Sequence, residues 1–323
     1  MKKEKAPRNR TLSLSEEEAL SFRKEILSSD ELRAWRESGN PLPVEKILDR
    51  TINADLLDVL PLLPDAFADL IIIDPPYNLR KNFGGEVFSA RSAAAYDDYL
   101  SEWFPLVCSK LKDSGSLYIC GDWRSTSSLQ RAVERELSVM NRITWQREKG
   151  RGASANWKNS MEDIWFAVKN PGNYYFDVGS VKMRRRVLAP YREDGRPKDW
   201  DDGAEGRFRL THPGNFWDDI SVPFWSMPEN TEHPTQKPEK LYAKLILASS
   251  REGDIVFDPF LGSGTASVTA KKLGRRFVGV EISEEYCLFA QKRLALAALD
   301  KSIQGYEDGV FWERNSGAGR RKT

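Results

Sequence analysis

Three observations in the amino-acid sequence predict an α/β fold, a mostly parallel sheet with helices on both faces. From Lys46 to about residue 300, short apolar runs alternate with helical segments, the rhythm that crossover connections between parallel strands produce. Leu70–Ile73 is a continuous apolar run rich in β-branched residues, as suits a strand covered on both faces. Two such strands run into an acid followed by proline, at Asp74-Pro75-Pro76 and Asp258-Pro259. Proline cannot donate to a ladder and its φ is fixed, so each strand stops pairing there.

The alternation places strands at 70–74, 116–120, 142–146, 162–168, 254–258 and 277–282, and helices at 97–112, 125–137, 238–250, 263–273 and 284–299. The first fifty residues read as an appendage. Ser15-Glu-Glu-Glu18 is a capping box opening a helix to about Leu27, Asp30 caps a second that stops near Gly39, and Asn40–Pro43 is a linker. Two stretches break the rhythm. Asn78–Tyr96, centred on Gly84-Gly85, is long enough for a lid. Tyr174–Glu232 interleaves Arg184, Arg185, Arg186, Arg196, Lys198, Arg207 and Arg209 with aromatics such as Trp200 and Phe208. That mixture suits phosphate contact with base or sugar packing. The acids among them, Glu193 and Asp199 for instance, equally suit a solvated insertion with its own aromatic core.

Composition narrows the function. With 40% hydrophobic and 30% charged residues, net charge +1 and no apolar run of membrane-spanning length, the chain reads as a soluble cytoplasmic protein. The N-terminus MKKEKAPRNR lacks the apolar stretch of a signal peptide. Cys108, Cys120 and Cys287 are odd in number and without metal spacing, and the only histidines are His212 and His233. No metal centre is expected from them, and the cysteines read as reduced core residues.

The chemistry sits at the strand ends, where open α/β sheets bind ligands. Asp74 offers a carboxylate, Pro75 and Pro76 rigid carbonyl acceptors and Tyr77 an aromatic face, a setting for a flat, amino-bearing ring. Asp254–Ala266 reads DIVFDPFLGSGTA: strand, acid, Gly-x-Gly loop, helix. Glu281 ends the next strand, placed to take the hydroxyls of a ribose. A dinucleotide fold fits too, because Glu281 lies nineteen residues after Gly262 and Gly262–Ser267 nearly matches G-x-G-x-x-G. The third glycine is absent, however, and Asp258 would repel a pyrophosphate while welcoming an ammonium. S-adenosylmethionine, with an α-amino group, a ribose and no phosphate, suits that loop better.

Asp74-Pro75-Pro76-Tyr77 with Asn78 resembles the catalytic motif of the amino-methyltransferases that act on exocyclic nitrogens of DNA bases. Phe257–Thr265 resembles their cofactor loop, and His233-Pro-Thr-Gln-Lys-Pro238 the segment before it. The order, catalytic motif first, is similar to the circularly permuted β class, and the resemblance spans roughly residues 50–297. It implies a Rossmann-like S-adenosylmethionine methyltransferase fold. Asp74, Pro75, Pro76 and Tyr77 would carry catalysis, with Asp74 also near the cofactor. Asp258, Phe260, Gly262, Gly264 and Thr265 would line its methionine part, Glu281 its ribose, Asp55 its adenine end and Lys237 its carboxylate.

The region 174–232 falls where the family keeps its target recognition, which implies duplex-DNA contact through the seven basic residues above. The implied layout is a helical extension (1–45), a catalytic half (46–173), the recognition insertion (174–232), a cofactor half (233–300) and a tail (301–323). Adenine N6 is the expected target, reached by base flipping, because an aspartate opens the motif; cytosine N4 is the alternative, and a non-catalytic DNA-binding regulator a further one. No cysteine follows a proline, which disfavours cytosine C5 chemistry. A cognate restriction endonuclease and a homodimer are plausible partners on the resemblance, in a bacterial or archaeal, nucleoid-associated setting. Trp145, Trp157 and Trp165 read as packing, and His233 as a structural hydrogen-bonder.

Overall fold

The computed structural model describes residues 6–39, 42–79, 81–83, 86–89, 91–147, 155–187, 191–203 and 206–314. An eight-stranded sheet runs in the order Arg50–Asn53, Arg276–Glu281, Ile255–Asp258, Ala68–Ile73, Leu111–Gly121, Met161–Val168, Ser138–Gln146, Phe216–Trp217. Met161–Val168 is antiparallel to both neighbours, and every other pair is parallel.

Ala68–Ile73 lies in the middle of this sheet, and its side chains alternate between two cores. Ile71 and Ile73 face one side, with Leu100, Phe104 and Val107 of helix Ala93–Ser109 and Leu129 and Val133 of helix Thr126–Glu136. Leu70 and Ile72 face the other, with Leu241 and Leu245 of Glu239–Ser249, Val268 of Thr265–Lys272 and Leu294 of Glu284–Leu299. All four strand residues are fully buried, as their unbroken apolar run demands.

Some elements differ from the sequence expectation. The edge strand Arg50–Asn53 is only four residues long, too short to announce itself by periodicity. Ser28, not Asp30, caps the second N-terminal helix, in a reciprocal capping box with Glu31. The first helix stops at Arg23 because Leu27 leaves it to bridge Ile52, bonding Thr51 and Asn53 through its backbone. Leu32 also joins the main core, so the appendage is packed onto the sheet edge. Asn40, Pro41, Gly84, Gly85 and the basic tail after Arg314 lie outside the described residues.

The long insertion forms a second sheet, ordered Asp201–Gly203, Gly206–Thr211, Met183–Arg186, Val310–Trp312, Tyr306–Glu307. The expected C-terminal tail thus supplies two of its five strands. Buried charge fastens this unit to the main domain. Lys244, 1% exposed, donates to both Asp219 carboxylate oxygens at 2.8 and 2.9 Å, and Lys240 donates to the carbonyls of Asp219 and Trp312. Burial pulls the Lys244 ammonium down to about 8, although Asp219 opposes the drop.

Trp145 and Trp165 are core residues, but Trp157 is 93% exposed. All three cysteines are buried and free. Among the described residues no helix is long and apolar enough to cross a membrane, and no cluster of potential metal ligands occurs.

Asp219→Ala would leave two buried ammonium groups without their counter-charge. Urea denaturation should show a loss of about 3–5 kcal/mol, the usual cost of breaking a buried pair from one side.

Candidate active site

Asp74, Asp258 and Glu281 stand at the carboxyl ends of three adjacent parallel strands and line one cavity of about 560 Å³. Phe257 pairs with Ile71, so Asp258 is level with Ile72 and Asp74 lies two residues further on. At ordinary strand spacing and rise their backbones are roughly 8 Å apart.

The two acids sit in different environments. Asp258 is 2% exposed and accepts the Phe260 N–H at 3.0 Å. Burial pushes its carboxyl well above the usual carboxylate range, and Asp74 and Glu281 add to the rise against that N–H and Lys237. A cation entering the cavity would favour its charged form. Asp74 already has a cation: Lys237 Nζ lies 2.6 Å from its Oδ2, while the Tyr77 hydroxyl donates to Oδ1 at 2.8 Å.

The Lys237 ammonium also lies 3.1 Å from the Tyr77 oxygen and 3.3 Å from Glu162 Oε2. Burial works against its charge, but Asp74 and Glu162 outweigh it and hold the group above its usual value. Burial, with the same two acids, pushes the Tyr77 phenol well up, so it remains a donor. The Pro76 carbonyl accepts the Tyr96 hydroxyl at 3.0 Å. The Pro75 carbonyl has no partner among the described residues.

The cofactor-type loop is built on left-handed glycines. Gly262 has φ +54°, and a Cβ there would come within 3.0 Å of the His233 ring. Its N–H donates to Glu281 at 2.8 Å, and the Ser283 N–H donates to the same carboxylate at 2.9 Å. Thr265 Oγ1 donates to the Lys237 carbonyl at 3.1 Å, joining this loop to the segment before it. Phe260 packs edge-on against Trp103, and Asp55 caps the helix Leu56–Val59 by accepting the Leu57 N–H.

The structure therefore gathers Asp55, Asp74, Pro75, Pro76, Tyr77, Lys237, Asp258, Phe260, Gly262, Thr265 and Glu281 around one space. Gly264 is not among the lining residues. At φ +88° it caps helix Thr265–Lys272, and a Cβ would stand 2.7 Å from that of Ala290. A glycine there lets the two helices pack closely. Lys237, which the resemblance placed near the cofactor carboxylate, lies on the Asp74 carboxylate.

Glu162 and Arg147 were missed in the sequence, although an acid inside the apolar run MEDIWFAV is itself a signal, since buried acids need partners. His233 accepts the Thr235 N–H and packs edge-on against Tyr286, and both rings line the cavity.

None of the seven basic residues assigned to DNA lines the cavity, and they do not form one patch. Arg185 pairs with Arg209 and Arg184 with Leu210, so the strand alternation puts Arg185, Arg207 and Arg209 on one face and Arg184 and Arg186 on the other. Arg184 stacks between Phe208 and Trp312, at 4.5 and 4.6 Å from their centroids. Arg209 pairs with Asp199 at 3.5 Å and Lys198 with Glu193 at 3.3 Å, while Arg196 lies opposite Glu193 in a short hairpin. Such half-exposed pairs contribute at most about 1 kcal/mol each.

Gly264→Ala should destabilise the protein by about 1–3 kcal/mol, through both its φ and the Ala290 contact. Gly39→Ala, with a similar φ of +73° but nothing within 4 Å, is the control for the backbone part, and thermal melts of the two variants should separate them.

A family profile described as DNA methylase (N6_N4_Mtase) matches residues 68–292. DNA adenine methyltransferase YhdJ of Escherichia coli K12 is 34% identical over 253 residues, covering 76% of this chain and 83% of its own. Type II methyltransferase M.HpaI of Haemophilus parainfluenzae is 32% identical over 260 residues, covering 80% and 76%. Among solved structures, the cytosine-N4-specific PvuII DNA methyltransferase aligns with a TM-score of 0.57 at 18% identity, over 79% of this chain and 87% of its own. TTHA0409 of Thermus thermophilus, complexed with S-adenosyl-L-methionine, aligns with a TM-score of 0.53 at 23% identity, over 84% and 99%. At these identities the structures bear on the fold alone.

Proposed function

We propose, because the chain belongs to the N6/N4 DNA methylase family, that it is a site-specific methyltransferase acting on adenine N6 in duplex DNA with S-adenosylmethionine as methyl donor. The observation that carries this reading is the pair Asp74 and Asp258, facing one cavity from adjacent strands, Asp74 paired with Lys237 and Asp258 buried with no cation in salt-bridge contact among the described residues.

The residues fit the cofactor. The α-ammonium would give Asp258 a cation, and Glu281 is held at the loop by two backbone N–H groups, at the strand end where a ribose would lie. Gly262 lets the backbone approach without a side chain between, and Phe260 and Asp55 complete the wall. When bound, the cofactor supplies a methyl group activated on a sulfonium.

The rest is done by this chain. An exocyclic amino group is a poor nucleophile because its lone pair is delocalised into the ring. Asp74 accepts one amino proton and the Pro75 carbonyl the other, which draws the nitrogen towards a tetrahedral shape with its lone pair on the cofactor side. Tyr77 is held by Asp74, Lys237 and Glu162 in the cavity wall, and in this reading its ring stacks on the flipped base. Flipping costs a few kcal/mol, offset by stacking and by phosphate contacts. In this reading residues 174–232 form the recognition region between the catalytic half (46–173) and the cofactor half (233–300), with the strands at 306–312 serving the same small sheet.

Asp74 at the head of the motif and the likeness to YhdJ favour adenine; the matching family covers both amino targets, which keeps cytosine N4 as the second reading. The likeness to M.HpaI, a type II methyltransferase, supports a restriction endonuclease as a partner.

Nucleoside digestion of treated duplex DNA should yield N6-methyladenine; N4-methylcytosine alone would transfer the conclusion to the second reading. Asp74→Ala should lower turnover by at least about 100-fold while calorimetry still registers S-adenosylmethionine binding and no NAD binding. Unchanged turnover in that variant would refute the catalytic assignment.

A further inference from the structure

Glu162 is a buried charge beside the motif, and the sequence motifs give it no part. It is 3% exposed. Met161–Val168 is the one reversed strand of the sheet, so its beginning lies at the edge where its parallel neighbours end. That reversal brings Glu162 to the exit of Ala68–Ile73.

Three groups meet its carboxylate. Arg147 Nη1 lies 2.5 Å from Oε1, and the Tyr77 hydroxyl and Lys237 ammonium lie 3.1 and 3.3 Å from Oε2. Arg147 and Lys237 also line the cavity. The formal charges of Asp74, Glu162, Lys237 and Arg147 cancel. Without Glu162 the same wall carries a net positive charge, and Lys237 rests on Asp74 alone. Both changes oppose a cationic ligand, in a setting where charges are poorly screened.

We propose that Glu162 is a positioning and charge-balancing residue, which holds Lys237 and Tyr77 against Asp74 and supplies the negative charge that lets this wall face a sulfonium. The inference rests on reading the cavity as the S-adenosylmethionine site. Its test uses two ligands that differ in the charge at sulfur. S-adenosylhomocysteine keeps the adenine, ribose, ammonium and carboxylate but has a neutral thioether.

Calorimetry on the full chain should show the wild type binding both ligands. Glu162→Gln should weaken S-adenosylmethionine about tenfold and S-adenosylhomocysteine less than about twofold, and Glu162→Asp should restore the wild-type ratio. Arg147→Gln, at a position one-third exposed, removes a positive charge instead and should shift the ratio towards S-adenosylmethionine. This variant keeps the test in hand if Glu162→Gln does not fold. A wild type that binds neither ligand would sink the cavity assignment itself. A wild type that binds both, with an unchanged ratio in the folded variants, would sink the role of Glu162 alone.

Discussion

A single buried ammonium, that of Lys237, organises the centre of this protein. It is 5% exposed and shared between Asp74 and Glu162, with the Tyr77 hydroxyl between them. Three distant parts of the chain meet at that point: the exit of the central strand, the start of the reversed strand and the segment before helix Glu239–Ser249. Burying any one of these charges alone would be strongly unfavourable, so each segment supplies a charge that the others help to compensate. Lys237 is held from behind as well, because Thr265 at the start of the loop helix bonds its carbonyl.

The same edge of the sheet separates two kinds of acid. Asp258 is enclosed by apolar strand neighbours and the backbone of its own loop, which disfavours its charge until a cation arrives. Asp74 leaves the sheet two residues higher, where lysine and tyrosine can reach it. Small differences in height along adjacent strands thus give two carboxylates opposite electrostatic roles. A cationic methyl donor and an amino-bearing base need that division, and the family to which the chain belongs performs that chemistry on DNA.

Beyond the central sheet, the insertion and the C-terminal strands form one unit around Met183 and Phe311, seated on helix Glu239–Ser249. The buried Asp219–Lys240–Lys244 cluster joins it to the main domain. The helix that bears Lys240 and Lys244 begins just after Lys237, so the basic sheet and the cavity share one rigid support.

Local sequence determined the fold class, the buried central strand and most of the cavity, because buried parallel strands are continuous apolar runs and proline ends them unmistakably. The Gly-x-Gly loop with Asp258 and Glu281 was equally plain, since close backbone approach and strand-end acids leave local signatures. Tertiary structure alone decided the rest. Glu162 and Arg147 reach Asp74 only through the reversed strand, and strand direction is a property of pairing that no local pattern encodes. Gly264 belongs to that loop, but the close approach that requires a glycine there, to Ala290, is a contact in space alone. The arginines of the insertion read as one cluster in the chain, yet the two-residue period of a strand sends alternate side chains to opposite faces, and only the register shows which of them stand together.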